Sequence, residues 1–354
     1  MARKTSRVIR FGLIGYGKHG QWAVVPAMRA AVGVRLAAVA DLMPSNLALL
    51  DDKSITGYTD YRQMLKREEL DAVYVATRVE THCEAVTAAL QAGLHVITEK
   101  PMATSIRECR QMIAAAQKAG KLLGVDFESR YITGFQQIRK WIAAGHIGHI
   151  RAIHIDNLWD GHKIWGPLGK RRRRFCDSSG CLDCGIHKLD LTRYFSGGGT
   201  WRDIKAFGTW FGEHVKYPPH IAIMACLDTG VLVTLNASFA FTAYIKRRLQ
   251  GVIYDGLAIL GDRGVIVLHK DPKGEKHLEL AGEKLAKTIP FTEHGHSTVI
   301  TLLLNDFAKS IRANTSLPAE IATGYDGLMA QYCADEANRL AIKNGDTGLL
   351  TPAK

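Results

Sequence analysis

No apolar run in this chain approaches the roughly 20 residues that a bilayer-spanning helix needs, so no membrane partner is expected. The basic start, Met1-Ala2-Arg3-Lys4-Thr5-Ser6-Arg7, is not followed by the apolar core of a signal peptide. Val8 to Ile14 is too short for one and runs straight into glycine, so the expected location is cytoplasmic. A disulfide framework is also missing. The seven cysteines (Cys83, Cys109, Cys176, Cys181, Cys184, Cys226 and Cys333) are odd in number and scattered, and they read as free thiols. Internal repeats and low-complexity tracts are absent, so both halves should fold. Acid is in short supply: 34 Asp and Glu face 46 Lys and Arg, a formal net charge of +12. That surplus permits an anionic partner without naming one. Much of it sits in Lys170-Arg171-Arg172-Arg173-Arg174. The run is short and no aromatic interleaves with it, so no nucleic-acid platform is expected.

What is present is a chain of 354 residues, 47 % hydrophobic and 23 % charged, a size that suits two globular domains. Val8 to Ile14 reads as a buried parallel strand. Helical spacing follows at Trp22, Val25 and Met28 and ends near Gly33. Further strands are expected at 34–40, 72–76, 95–98 and 122–125. Helices are expected at 44–50, 61–67, 82–92 and 106–119, with Gly93 and Gly120 placed as C-caps. Strands and helices alternating at this pitch form a doubly wound parallel sheet, an α/β domain assigned to 1–128.

Beyond it the texture changes. After a helix at 135–145, longer strands are expected at 150–158, 204–210, 221–227, 231–238, 251–260 and 264–268. Turns such as Asp228-Thr229-Gly230 and Gly261-Asp262-Arg263-Gly264 favour antiparallel pairing. Helical patterns return at 184–195, 297–313 and 319–343. The expectation for 129–354 is an α+β C-terminal domain with a largely antiparallel open sheet, for substrate binding and oligomerisation.

The loop Gly15-Tyr16-Gly17-Lys18-His19-Gly20 follows a strand and opens a helix, the context a dinucleotide fingerprint requires. Gly15 permits the tight turn, Gly17 the close approach of a pyrophosphate, and Gly20 the packing of helix on strand. Free N–H groups at the helix start then face the phosphates. Asp41 follows Gly20 by 21 residues at the end of the next strand, where a carboxylate can bind both ribose hydroxyls. It would repel a 2′-phosphate, which favours NAD as the expected cofactor, with NADP the alternative.

Glu99-Lys100-Pro101 ends a strand at the carboxyl edge of the sheet, where ligands bind in this architecture. The chain order runs from the glycine loop and Asp41 through a Thr77 to His82 turn and Glu99-Lys100-Pro101. It continues with Asp126-Phe127-x-x-Arg130 and Asp183-x-Gly185-Ile186-His187. This order resembles the glucose–fructose oxidoreductase/inositol dehydrogenase/MocA family from about residue 8 to 345. The resemblance implies a Rossmann domain, a C-terminal domain with an open sheet, and a sugar or cyclitol bound beside the nicotinamide. It places the catalytic lysine at Lys100, the aspartate at Asp183 and the histidine at His187. It also implies cofactor contacts from Thr77, His82, Glu99, Lys100 and Arg130. Substrate contacts would come from Lys100, Trp165, Asp183 and His187.

The residue chemistry agrees. Histidine titrates near neutrality and can take or return a hydroxyl proton. Asp183 and His187, four apart, share one helix face. A lysine cation stabilises a developing alkoxide. Two departures bear on the substrate. Thr77-Arg78-Val79 replaces the usual Thr-Pro-Asn, which puts Arg78 near a phosphate or ribose. Asp177-Ser178-Ser179-Gly180 replaces a glycine run. Cys176, Cys181, Cys184 and His187 offer zinc ligand types, but the stretch begins a helix and no second pair exists, so no metal is expected.

The basic run suits an anionic sugar phosphate, uronate or nucleotide sugar, or else is a solvated loop. Within the family the pattern looks most like glucoside 3-dehydrogenases. The alternatives are an NAD-dependent glycoside hydrolase of the same fold and a non-catalytic NAD- and sugar-binding sensor. Relatives form homodimers or homotetramers through the exposed face of the second-domain sheet, and an apolar strand such as Val231 to Leu235 suits that.

Overall fold

The computed structural model describes residues 7–158, 185–210, 216–238 and 254–345, apart from 272. Its elements run β1 (Ile9–Ile14), α1 (Val25–Ala30), β2 (Val34–Ala40), α2 (Pro44–Leu47), β3 (Thr56–Tyr58), α3 (Tyr61–Arg67), β4 (Ala72–Val75), α4 (His82–Gln91), β5 (His95–Glu99), α5 (Ile106–Ala119) and β6 (Leu123–Asp126). They continue with α6 (Thr133–Ala143), β7 (Ile150–Leu158), α7 (Ile186–Ser196), β8 (Trp201–Thr209), β9 (His220–Leu227), β10 (Leu232–Ser238), β11 (Tyr254–Gly261), β12 (Gly264–Lys270), β13 (Lys276–Gly282) and β14 (Ala286–Pro290). The last are α8 (His296–Ala313), β15 (Ala322–Thr323) and α9 (Gly324–Asn344). The chain divides into two compact units, 1–132 with 294–328 and 133–293 with 329–354.

The first unit holds a seven-stranded sheet in the order β15-β6-β5-β4-β1-β2-β3. Every pairing is parallel except that of β15 with β6. Ile9, Phe11 and Leu13 of β1 are fully buried, as are Val73, Tyr74 and Val75 of β4. Such continuous burial is what a strand covered on both faces requires. β1 pairs with β2 on one side and β4 on the other, which makes its carboxyl end the topological switch point. α5 starts where the Ser105 side chain accepts from Glu108 N–H, and it stops at Gly120 in the left-handed region. α8 returns from far along the chain to this unit. Its Leu303, Leu304 and Phe307 join Ile9, Phe11 and Met28 in one core. Trp22, counted above as part of an apolar helix face, is 48 % exposed, while Val25 and Met28 are buried.

The second unit is built on an eight-stranded sheet, β14-β13-β12-β11-β7-β10-β9-β8. It is antiparallel apart from the parallel pair β7 and β10. Ile153 and Ile155 of β7 are buried, while His154 between them is exposed, so one face is covered and the other open. α7 lies against the covered face, with Leu191 and Phe195 buried. The Phe195 ring meets that of Phe135 of α6 at 6.0 Å. β13 and β14 extend the sheet beyond the strands the sequence announces.

Candidate active site

The turn after β1 is drawn tight by hydrogen bonds on both flanks. Gly15 N–H donates to the Ala40 carbonyl at 2.8 Å, and Ala76 N–H donates to the Ile14 carbonyl at 2.7 Å. Gly15 has φ +101°, and a Cβ there would lie 2.6 Å from the Ala76 carbonyl. A Cβ at Gly20 would lie 2.6 Å from the Gly15 carbonyl oxygen. At Gly17 a Cβ would meet nothing within 4 Å, so this backbone faces open space. The helix that follows opens with a π turn at Gly20–Val24 and continues as α1. These three glycines have the division of labour that a pyrophosphate cradle needs.

Asp41, at the end of β2, is tied into that loop. Its Oδ2 accepts from Tyr16 N–H at 2.7 Å. Its Oδ1 accepts from Met43 N–H at 2.8 Å and from the Asn46 amide at 3.0 Å. A carboxylate has about four acceptor positions, so these bonds leave one for a ribose hydroxyl rather than the two anticipated above. The residues present therefore fit a dinucleotide: an open glycine cradle flanked by a half-buried carboxylate with a spare lone pair.

β5 brings Glu99 and Lys100 to the same end of the sheet. His19 Nε2 lies 2.8 Å from Glu99 Oε1, and the Tyr74 hydroxyl donates to that same oxygen at 2.7 Å. Tyr74 also contacts Asp126 Oδ2, and Glu99 and Asp126 are register partners on β5 and β6. Lys100 N–H donates to Glu99 Oε2 at 3.2 Å. Burial pushes the Asp126 carboxyl well above the ordinary carboxylate range, and the charges of Glu99 and Glu128 push it further. Burial also acts to raise Glu99, but the His19 hydrogen bond and charge outweigh it and hold Glu99 low. Of the two, Asp126 holds its proton the more tightly and Glu99 gives up its own the more readily. The sequence signal that could have exposed this group is a tyrosine inside an otherwise apolar parallel strand, with carboxylates closing the next two strands.

Other anticipated contacts fall elsewhere. His82 is 1 % exposed, and its ring bridges the carbonyls of Pro101 and Thr77 at 3.0 and 3.1 Å. It pins the turn after β4 to the turn after β5 from within. Burial lowers its pKa against the pull of those carbonyls. The Thr77 hydroxyl accepts from that of Thr81 at 2.8 Å. Arg130 is buried, donating to the Ala319 carbonyl at 2.9 Å and lying 3.6 Å from Asp326. Arg78 pairs with Glu80 at 2.7 Å. Lys18 is exposed beside the cradle.

In the second unit His187 occupies the first turn of α7, half-buried. Trp165, the basic run 170–174, Cys176, Cys181, Asp183 and Cys184 lie outside the described residues. A cleft of about 520 Å³ within this unit is lined by Arg139, His149, Arg151 and Ser196 among others, and contains none of the anticipated site residues.

This architecture, a dinucleotide fold followed by an open-sheet domain, defines a class of nicotinamide-dependent oxidoreductases. Residues 9–127 match the oxidoreductase family with an NAD-binding Rossmann fold, and residues 135–267 match the GFO/IDH/MocA C-terminal domain. The chain belongs to the GFO/IDH/MocA oxidoreductase family.

It is 31 % identical to 1,5-anhydro-D-fructose reductase of Ensifer adhaerens over 190 residues, 52 % of this chain and 56 % of that enzyme. The match thus spans little more than half the length of that relative. It is 28 % identical to D-glucoside 3-dehydrogenase of Escherichia coli K12 over 67 % of this chain and 72 % of that protein. Its fold is similar to that of an oxidoreductase from Agrobacterium radiobacter, solved with NAD+, L-tartaric acid and magnesium. The TM-score is 0.80 at 20 % identity, covering 95 % of this chain and 96 % of that one.

Proposed function

We propose that this protein is an NAD-dependent dehydrogenase that moves a hydride between nicotinamide and a ring hydroxyl or ketone of a sugar, glycoside or cyclitol. The observation that carries the reading is the junction at the end of β5. There the Glu99 carboxylate joins the cradle residue His19 to the backbone N–H of Lys100, the residue to which we assign action on a substrate oxygen. NAD, when bound, supplies the hydride acceptor or donor. The chain's own residues do the rest.

The Lys100 ammonium stabilises negative charge as the alcohol oxygen develops alkoxide character. His187 takes the hydroxyl proton in oxidation and returns it in reduction. Asp183 holds the neighbouring hydroxyls or orients that imidazole. The named relatives support the substrate class, since one is a sugar reductase and another a glucoside dehydrogenase. The basic run 170–174 extends the proposal to anionic sugars.

The open face of the second sheet carries Phe207, Met224, Leu232 and Leu260, 36–62 % exposed. We assign this face to self-association as a homodimer or homotetramer. Among the described residues, Cys83, Cys109, Cys226 and Cys333 form no disulfide, which suits the reducing cytoplasm. No described helix is long and apolar enough to cross a membrane.

The test is a panel of sugars, glycosides, cyclitols and sugar phosphates, assayed in parallel with NAD and NADP. A substrate-dependent rise in reduced-nicotinamide absorbance with NAD is the expected result. Aglycone released with no net reduced cofactor would overturn the reading in favour of hydrolysis.

A further inference from the structure

We propose that His19 is a proton-linked clamp on the dinucleotide's pyrophosphate, anchored from behind by the buried chain Glu99–Tyr74–Asp126, through which cradle and Lys100 share one carboxylate. The clamp rests on the NAD-dependent reading above, but its test does not require turnover.

The geometry fixes the ring. Its Nε2 is held by Glu99 at 2.8 Å, and its described hydrogen bonds use that nitrogen alone. The Trp22 ring stands edge-on to it at 5.5 Å and 83°. Trp22 is in turn held edge-on by His296 at 5.2 Å, and His296 Nδ1 lies 3.1 Å from Glu128. The imidazole therefore has its Nε2 edge committed to the protein. Gly17, two residues before His19 in the same loop, leaves open space where a ligand can approach. The side chain is 35 % exposed, enough to meet a ligand.

The charges around the ring favour its cationic form. Glu99 from β5 and Glu128 from the turn after β6 are negative, while Lys100 opposes them. Lys18 is the neighbouring cation, and His296 lies beyond Trp22. Burial lowers the His19 pKa, but the hydrogen bond and charge of Glu99 outweigh it, so the pKa ends above the ordinary 6.5. Because Asp126 is the carboxyl that burial and its acidic neighbours push up, Glu99 is the one that faces His19 as its charge partner. An imidazolium can donate a charge-assisted hydrogen bond to a phosphate oxygen, whereas a neutral ring whose N–H faces Glu99 offers its other nitrogen only as an acceptor. Binding affinity should therefore fall as pH rises through the His19 pKa, and binding near that pH should take up a proton.

Calorimetric titration with NAD, ADP-ribose and adenosine between pH 5.5 and 9, in buffers of different ionisation enthalpy, tests this. For the intact protein the NAD dissociation constant should rise about tenfold across the range, with proton uptake on binding. ADP-ribose, which keeps the pyrophosphate, should repeat the slope, and adenosine should not. His19→Gln should flatten the profile at the weaker affinity, and Glu99→Gln should move it to lower pH. A flat profile with no proton uptake in the unsubstituted protein overturns the clamp, as does His19→Gln with the slope retained. If Glu99→Gln does not fold, the other two still decide. Sugar oxidation with a flat profile removes the clamp alone. The slope without oxidation of any sugar removes the dehydrogenase reading and leaves the clamp.

Discussion

At Gly15 the backbone has φ +101°, and a Cβ would press on the Ala76 carbonyl at 2.6 Å, whereas at Gly17 a Cβ would meet nothing within 4 Å. The two alanine substitutions therefore separate folding from function. Gly15→Ala forces a strained backbone and a clash, and should lower stability by about 1–3 kcal/mol. Gly17→Ala should leave the melting temperature unchanged and weaken NAD binding at least about tenfold, because its methyl fills the approach to the pyrophosphate. Thermal melts paired with calorimetric NAD titration check both. A Gly17→Ala protein that binds NAD as tightly as the parent would contradict the cradle.

Much at this scale was legible in the sequence, since glycine spacing and the Asp41 offset are local patterns. The pairing of Glu99 with Asp126 was not. It depends on the register of two strands 27 residues apart in sequence and on the Tyr74 hydroxyl between them. Likewise His82 and Arg130 sit in the right motifs, but their burial turns them inward to carbonyls, which spacing alone does not reveal.

Among the elements, the strands with buried branched residues were readable and the marginal ones were not. β7 was expected at 150–158 and lies there. β13 keeps only Leu278 and Leu280 in the core. The alternation in β13 is thus confined to Leu278-Glu279-Leu280, and β14 has no buried residue, both short of the longer alternation that a sequence reading needs. β5 also holds a pH-dependent joint. His95 Nδ1 accepts from Leu122 N–H at 3.1 Å, a bond that only the neutral ring makes. Burial, helped by the charge of Lys121, lowers its pKa to about 4. The folded pKa is depressed, so this contribution to stability is complete above the ordinary value of 6.5 and is lost as pH falls toward 4. The melting temperature of the parent should therefore drop between pH 6.5 and 4 more steeply than that of His95→Gln. Parallel slopes for the two proteins would refute the assignment.

For the whole molecule, the sequence pattern showed two architectures in succession but not that the chain recrosses between them. The apolar stripe of α8 is as compatible with one core as with the other. Only in three dimensions do Leu303, Leu304 and Phe307 fall against Phe11 and Met28. The open sheet face gives a second test at this scale. Met224 is 53 % exposed on that face, on the strand next to the edge, beside Lys205 and Thr234. Met224→Asp puts a charge there that an apolar contact cannot accommodate. Light scattering should give a multiple of the chain mass for the parent and a lower multiple for the variant. A parent that is monomeric at micromolar concentration would contradict self-association through this face.

The central claim is that Lys100 is the reacting centre of a dinucleotide-dependent dehydrogenase. Its most direct test is the rate of reduced-nicotinamide formation by Lys100→Met, measured with the best substrate of the panel and at NAD concentrations shown by calorimetry to saturate the variant. The account predicts turnover lower by at least about a hundredfold, with the fold and NAD affinity retained. Parental turnover in Lys100→Met would contradict it.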